Sequence, residues 1–419
     1  MIELLIIADD MTGAIDTGVQ LAKQGIFTKV IHNPESDIQK LFAQKDASVL
    51  VFNTESRHIH PTEAAERVGD VVKKARISGI KRFYKKTDST MRGNIGVELE
   101  AFLRGTGQRS LAFIPAHPKL KRFTREGFHY IDERLLHETE MGKDPLEPIE
   151  ISFIPEILHT QTGINISLID PTKEELTPIV EGILVFDCQS EHDLTTIGNF
   201  LMNNSLHNAI AGSAAMVELL PQLFQLKSVK LKTPKLRGPI LIVNGSLNSI
   251  SIEQVKYAHG KGVKTISIPA KLLSDDSFHK SRYLPSLLSQ IDIASKTGKD
   301  VILNSTDVNN QAEAISSFPG QLKADHFELI SKQIGLIVTT ILEKVHLNTL
   351  AVIGGDTLTG IMYAMSCEYI EPKLEILPGV ALSLAKVKNK DIQLVSKPGG
   401  YGDKDVILQI LDYIKKSKL

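Results

Sequence analysis

Three observations predict an α/β fold of two domains, each a mainly parallel sheet flanked by helices. Short β-branched runs alternate with helix-like segments along the chain. Its 419 residues exceed one ordinary core, so two domains of about 200 residues each are expected. One stretch of mixed cations, proline and glycine, Val229–Pro239, interrupts the pattern near the middle. The strand-like runs are Leu4–Ala8, Val49–Asn53, Arg82–Tyr84, Leu111–Ile114, Ile183–Asp187, Ile240–Asn244, Lys264–Ile268, Val301–Asn304, Leu350–Ile353 and Gln393–Val395. Between them, Glu63–Ser78 and Leu329–Val345 return apolar residues every third or fourth position, the helical period. Strands that alternate with helices lie in parallel sheets with helices on their faces. In Val229–Pro239, two prolines argue against one continuous element and a fresh apolar strand follows directly. The expected domains are therefore residues 1–230 and 240–419. Pro115–Pro155 reads as an irregular segment too long for a silent connection. Its Phe128, His129, Tyr130, His137 and Glu138 suggest an ordered loop near a site.

Composition narrows the function classes. Hydrophobic residues make up 42% of the chain and charged ones 23%, ordinary values for a soluble globular protein. A net charge of −1 removes the electrostatic case for nucleic acid or an anionic membrane as partner. Cys188 and Cys367 lie far apart and match no metal spacing, as expected of a protein in a reducing cytoplasm. The amino terminus lacks the basic region of a secretory leader, and no apolar run has membrane-span length. No G-x-x-x-x-G-K-[ST], no G-x-G-x-x-G after a strand, no H-E-x-x-H and no G-x-S-x-G is present, which argues against four common chemistries.

Three polar clusters carry the chemical expectations. The first run ends on Asp9 and Asp10, a carboxylate doublet where open α/β sheets bind ligands. Two adjacent carboxylates are costly to desolvate unless a hydroxyl, metal or cation needs them; an Asp N-cap with a solvated first turn is the simpler alternative. The second cluster is Lys85–Gly96, with Lys86, Thr87, Asp88 and Ser89 at its start, and Arg57 lies four residues past the Val49–Asn53 strand. In a parallel sheet all three strand ends share one edge. Asp accepting hydroxyls, with Arg and Lys clamping a carboxylate, suits a small polyhydroxy acid; structural ion pairs across the sheet edge are the competing reading. The third cluster comprises glycine turns between strands and helices: Asn244–Gly245–Ser246, Gly354–Gly355–Asp356–Thr357 and Pro398–Asp403, with Pro378–Gly379 besides. Backbone amides at such turns can face an anion, although single turns of this kind also serve as plain N-caps. His117, His129 and His137 share the long loop and are expected as hydrogen-bonded surface residues or substrate contacts, not catalysts.

The stretches IADDMTGAIDTG, KKTDSTMRGNIGVELEAFL, AFIPAHPKLKRFTREGFHYIDERLLHETEMGKDPLEPI, VIGGDTLTG, LPGV and VSKPGGYGD resemble, in this order, the four-carbon acid sugar kinase family. The resemblance implies an N-terminal domain that binds a sugar acid, a C-terminal domain that binds ATP, and an active site in the interdomain cleft. It places the substrate site on Asp9, Asp10, Arg57, Lys86, Thr87, Asp88 and Ser89. The nucleotide site would fall on Ser246, Gly354, Gly355, Asp356, Thr357, Gly399, Gly400, Tyr401 and Gly402. Asp356 is the first candidate for the base, followed by Asp10 and Asp88, and Mg²⁺ is expected with the polyphosphate. HETEMGKDPLEPI is more similar to the threonate and erythronate kinases than to the 3-oxo-tetronate branch. His117 departs from the aromatic expected after Pro115–Ala116, and Lys119–Arg122 is unusually basic. The implied reaction is transfer to a hydroxyl of threonate or erythronate, giving the 4-phosphate. The alternatives are a 3-oxo-tetronate kinase, a nucleotide-regulated sugar-acid sensor without turnover, and an aldolase or isomerase acting through Lys85 or Lys86. A homo-oligomer is compatible with the sequence.

Overall fold

A computed structural model describes residues 2–44, 47–139, 142, 148–172, 181–229, 234, 238–268, 273, 281–305, 324–388 and 390–416. The chain divides into two compact units, residues 1–231 and 232–419. Within the expected boundary, residues 230–233 and 235–237 lie outside the described residues.

The first unit is built on β1 (Leu4–Ala8), β2 (Thr28–Ile31), β3 (Val49–Asn53), β4 (Phe83–Lys86) and β5 (Ser110–Ile114). After the small strands β6 (Arg122–Arg125), β7 (Phe128–Ile131) and β8 (Arg134–Leu135) come β9 (Ile166–Ile169), β10 (Gly182–Phe186) and β11 (Ala209–Gly212). The main strands pair in parallel in the order β2-β3-β1-β4-β11-β5-β10-β9. Strands β1, β3, β5 and β10 are buried along their whole length, because helices cover both faces and leave no polar side. Helices α1 (Met11–Ala22), α2 (Ile38–Gln44), α3 (Pro61–Ile77) and α4 (Ile95–Thr106) connect the first five strands. Then follow α5 (Ile154–His159), α6 (Glu191–Asn203), α7 (Ala214–Val217) and α8 (Leu220–Leu223). Local signals set their ends: Asp10 caps α1, Pro61 occupies the first turn of α3, and Ser190 with Asp193 forms a capping box on α6. From β1 the chain steps to β2 on one side, and β4 lies on the other. The carboxyl ends of β1 and β4 therefore flank a topological switch point, the place where open sheets take ligands.

The second unit repeats that winding. Its strands are β12 (Ile240–Asn244), β13 (Lys264–Ser267), β14 (Val301–Asn304), β15 (Thr349–Ile353), β16 (Cys367–Leu377), β17 (Val380–Val387) and β18 (Lys390–Lys397). The order β13-β14-β12-β15-β18 is parallel, and β17 and β16 extend it antiparallel. Helices α9 (Ser249–Gly260), α10 (Tyr283–Lys296), α11 (Ala324–Lys344), α12 (Gly355–Ala364) and α13 (Val406–Lys416) cover it. Helix α13 buries Val406, Ile407, Ile410, Leu411 and Ile414, one stripe at helical spacing, against Ile240, Ala351, Leu382 and Val395.

Four sequence expectations need correction. The strand expected at Arg82–Tyr84 runs from Phe83 to Lys86, and its alternation sends Lys85 and Lys86 to opposite faces. Pro115–Pro155 is regular in part: β6, β7 and β8 form a separate antiparallel sheet there, while residues 140, 141 and 143–147 lie outside the described residues. Glu126–Gly127 (φ 51° and 76°) and Asp132–Glu133 (φ 48° and 64°) make its two tight turns. Both central residues of each are left-handed, the geometry that joins twisted antiparallel strands. Pro378–Gly379 is the turn of the β16–β17 hairpin rather than a strand-to-helix connection. Gly355–Thr357 already belong to the first turn of α12, so the turn itself is Gly354, at φ 109°.

Helices α11 and α12 touch backbone to backbone: a Cβ on Gly335 would lie 2.3 Å from the Gly360 carbonyl oxygen, and one on Gly360 would lie 2.3 Å from that of Ser331. Gly360→Ala is therefore expected to lower unfolding free energy by about 1–3 kcal/mol through overpacking. Urea denaturation of the variant against the wild type checks it, and an unchanged midpoint would contradict this crossing.

Candidate active site

In the first unit, Ala8 pairs with Asn53 on one side and Lys86 on the other. Asp9, Thr54 and Thr87 thus leave the sheet at one level. The main chain after β3 folds over β1, with the amides of Ser56 and Arg57 donating to the Asp9 carbonyl at 3.0 and 3.3 Å. Asn94 fixes this loop by donating from Nδ2 to the carbonyls of Ser56 (2.9 Å), Arg57 (3.3 Å) and Ile59 (2.9 Å). So held, Arg57 donates from Nε to Asp9 Oδ2 at 2.7 Å and from Nη2 to Asp10 Oδ1 at 2.8 Å. The doublet combines a helix cap with ion pairs to one cation. Asp10 caps α1, accepting from the Gly13 amide at 3.0 Å and from Thr12 Oγ1 at 2.6 Å. Asp9 is 3% exposed, and among the described residues its Oδ1 has no hydrogen-bond partner. Burial alone would raise the Asp9 pKa, but Arg57, Lys85 and Lys86 outweigh it and hold the carboxyl below its ordinary range.

The two lysines have different surroundings. Lys85 is fully buried and pairs with Glu98 of α4 at 2.8 Å. Lys86 faces α1: its Nζ donates to the Thr87 carbonyl at 2.7 Å. A Cβ on Gly13 would lie 2.5 Å from Asp10 Oδ1 and 3.3 Å from Lys86 Nζ, so glycine there lets both approach the helix. Thr87 Oγ1 is buried and lacks a partner among the described residues. Asp88 is committed elsewhere, accepting from Thr90 Oγ1 (2.6 Å), Arg92 Nε (2.6 Å) and Arg92 Nη2 (3.3 Å). Against the upward push of burial, Arg92 and Arg57 keep its carboxyl well below the ordinary range, and so weak a base takes a hydroxyl proton poorly. The small sheet reaches the same strand end. Arg122 Nη1 donates to Ser89 Oγ, and His129 Nε2 donates to the Ser89 carbonyl at 2.9 Å. Glu98, Arg92 and Arg122 are not singled out by the sequence, because their partners lie 4 to 33 residues away in the chain without a motif; His129, expected as a hydrogen-bonded residue or a substrate contact, is hydrogen-bonded here. His137 is held by Ser152, its Nδ1 lying 2.8 Å from Ser152 Oγ.

In the second unit the three glycine turns meet at the corresponding edge. A Cβ on Gly245 would lie 2.0 Å from Thr357 Oγ1, one on Gly399 2.2 Å from Ser246 Oγ, and one on Gly354 3.4 Å from Ser246 Cβ. Ser246, Gly354, Thr357 and Gly399 are therefore neighbours. Gly379, from the β16–β17 turn, approaches the Tyr401 ring, where a Cβ would lie 2.7 Å from it. Asp356 is exposed in the first turn of α12. Gln254 of α9 ties the third turn down, donating from Nε2 to the carbonyls of Tyr401 (2.9 Å), Gly402 (2.7 Å) and Asp403 (3.1 Å). Glycines packed this closely, next to a helix start, leave main chain where side chains would otherwise stand, an arrangement able to present amides to an anion.

Arg57→Ala is expected to cost about 3–5 kcal/mol in unfolding free energy, because it strands buried Asp9 beside Asp10; a loss under about 1 kcal/mol in urea denaturation would contradict this network. Burial also holds the imidazoles of His32, His117 and His129 down at about 4, 3 and 4, with Arg122, Lys86 and Lys119 adding to the effect at His117. The unfolded chain takes up those protons below pH 6.5, the ordinary value, while the folded chain does not. Stability is then full above about pH 6.5 and declines as pH falls toward 4. Thermal melts across that window should show a steadily falling Tm, and a flat one would exclude neutral buried imidazoles. Asp9 and Asp88 add their own loss only below about pH 4.

Residues 4–220 match the family model of a sugar-binding N-terminal domain, and residues 241–407 that of a nucleotide-binding C-terminal domain. The chain is 30% identical to the D-threonate kinase of Salmonella typhimurium, with 99% of each chain covered. It is 25% identical to the D-erythronate kinase of Heliobacterium modesticaldum, covering 99% of this chain and 97% of that one. A crystal structure of a Haemophilus influenzae protein superposes with a TM-score of 0.73 at 20% identity, over 99% of this chain and 100% of that chain, and shares the fold. With both halves matched and a relative alike from end to end, the chain belongs to the four-carbon acid sugar kinase family.

Proposed function

We propose that the protein is an ATP-dependent kinase that phosphorylates the terminal hydroxyl of a four-carbon sugar acid of the threonate or erythronate type, giving its 4-phosphate. The observation that carries this reading is that Asp9 Oδ1 and Thr87 Oγ1, two of several buried polar atoms of the first unit without a partner among the described residues, both lie at this strand edge with the Lys86 ammonium. Buried polar atoms without partners are rare in a free protein unless a ligand completes them. Here a polyhydroxy acid does so: its hydroxyls donate to Asp9, and its carboxylate meets Lys86 and the hydroxyls of Thr87 and Ser89. Arg57 holds Asp9 and Asp10 in place and is not itself the carboxylate clamp. Asp88, neutralised by Arg92, shapes the wall.

Phosphoryl transfer asks little covalent chemistry of a protein, chiefly positioning and charge neutralisation. ATP fits the second unit, where the amides around Ser246, Gly354–Thr357 and Gly399–Gly402 take the phosphates. As the substrate oxygen bonds to the γ-phosphorus and the bond to the β-phosphate oxygen breaks, a carboxylate accepts the hydroxyl proton. Asp356 is the acidic side chain at the phosphate-facing start of α12, and we assign it that role in preference to Asp10 and Asp88, whose oxygens are already engaged. No group of three His, Cys, Asp or Glu among the described residues could hold a metal by itself. Mg²⁺, if used, arrives on the polyphosphate and offsets its charge, with Asp356 the nearest candidate to hold it. An aldolase or isomerase through Lys85 is disfavoured, since that amine is buried against Glu98. No helix among the described residues is long and apolar enough to cross a membrane.

An ADP-release assay over a panel of four-carbon acids tests the reading. Turnover with threonate or erythronate supports it. Turnover with 3-oxo-tetronate alone would move the protein to the other branch, and binding without turnover would make it a sensor. Asp356→Asn should lower kcat about 10²–10⁴-fold, and turnover within about threefold of wild type would remove the assignment. Lys86→Met should raise KM for the acid about tenfold or more while leaving that for ATP within about twofold. Equal effects on both would place Lys86 elsewhere.

A further inference from the structure

Lys397 ends β18 and is 1% exposed. Its ammonium forms no ion pair among the described residues. It donates instead to three main-chain carbonyls of the turn that follows: Pro398 at 2.7 Å, Gly399 at 3.3 Å and Tyr401 at 2.7 Å. An ammonium has three protons, so its donor capacity is used up within one loop. Burial draws its pKa down to about 7, while three acceptors at hydrogen-bond distance can engage only the protonated form. The carbonyl of Lys397 in turn accepts from the Gly354 amide at 3.0 Å. One residue thus fastens the Pro398–Gly402 turn to the turn before α12.

The directions of the peptides give this clamp a chemical meaning. In a trans peptide the N–H points opposite to the C=O. Carbonyls of Pro398, Gly399 and Tyr401 drawn inward toward the ammonium therefore turn the amides of Gly399, Gly400 and Gly402 outward. Those three amides donate to nothing among the described residues. A buried cation without a counter-ion is costly, and so are outward amides without an acceptor. One ligand satisfies both: an anion with several oxygens seated on the turn.

We propose that Lys397 is a positioning residue for a nucleoside polyphosphate, aligning three glycine amides toward phosphate oxygens and holding a positive charge beneath them. It acts through the loop and makes no contact with the reacting atoms. The proposal rests on the nucleotide reading of this unit and goes beyond it by assigning the recognition of phosphate, as distinct from nucleoside, to one buried side chain.

Calorimetric titration of the full-length protein with ADP and with adenosine separates the two contributions. Lys397→Met should weaken ADP about tenfold or more while adenosine changes by less than about twofold, and KM for the sugar acid should stay within about twofold. Inorganic tripolyphosphate should lose affinity in parallel with ADP. If Lys397→Met fails to fold, Lys397→Gln, which keeps donors but no charge, is read by the same ADP-to-adenosine ratio. A ratio unchanged from wild type, in a folded variant, overturns the role of Lys397 and leaves the nucleotide reading intact. Wild-type protein without affinity for ADP overturns both.

Discussion

The ion-pair network of Asp9, Arg57 and Asp10 is the constraint on which the acid-binding half depends. Three charged groups sit at the end of the first strand, where their desolvation is offset only by near-ideal geometry. Satisfying Arg57 fixes the loop after β3, and satisfying Asp10 fixes the first turn of α1. One oxygen remains over, Asp9 Oδ1, and it is the atom that the proposed substrate completes. On the proposed reading, structure and binding are not alternative explanations of the doublet. The pairs that stabilise the sheet edge are also what hold an unsatisfied acceptor in place.

Both units wind their first four strands alike, 2-3-1-4 in each, and so both open at the same kind of switch point. What differs is the chemistry placed there. The first unit puts side chains at its opening: carboxylates, a lysine and hydroxyls. The second puts main chain there, stripped of Cβ atoms at Gly245, Gly354 and Gly399. This division matches the ligands proposed for each unit, since hydroxyls arranged in three dimensions need directed acceptors and a polyphosphate needs many donors on one side.

Much of this was legible in the chain. Parallel strands buried on both faces read as unbroken apolar runs, so Leu4–Ala8, Val49–Asn53, Ile240–Asn244 and Val301–Asn304 were placed to the residue. The strands that escaped carry polar or small residues, as in Thr28–Ile31 and Ala209–Gly212, or alternate, as in the β16–β17 hairpin with one half-exposed face. The candidate site residues follow from their position after strands, which sequence shows. Their partners do not, because Arg57 with Asp9, or Lys85 with Glu98, are joined by a register that only the folded sheet defines. Lys397 was passed over for a related reason: a lysine beside a glycine turn looks solvated until its burial is known.

The small β6–β8 sheet has a wider consequence. It is attached to the first unit through its ends and a few bridges, yet Arg122 and His129 reach from it to a single residue of the acid site, Ser89. On the proposed reading, the parallel sheet supplies the strand-end groups that meet a hydroxy acid, and the small sheet, through Ser89, borders them. Such an arrangement would put the border of the site on a different stretch of chain from its strand ends, so that the two could change independently.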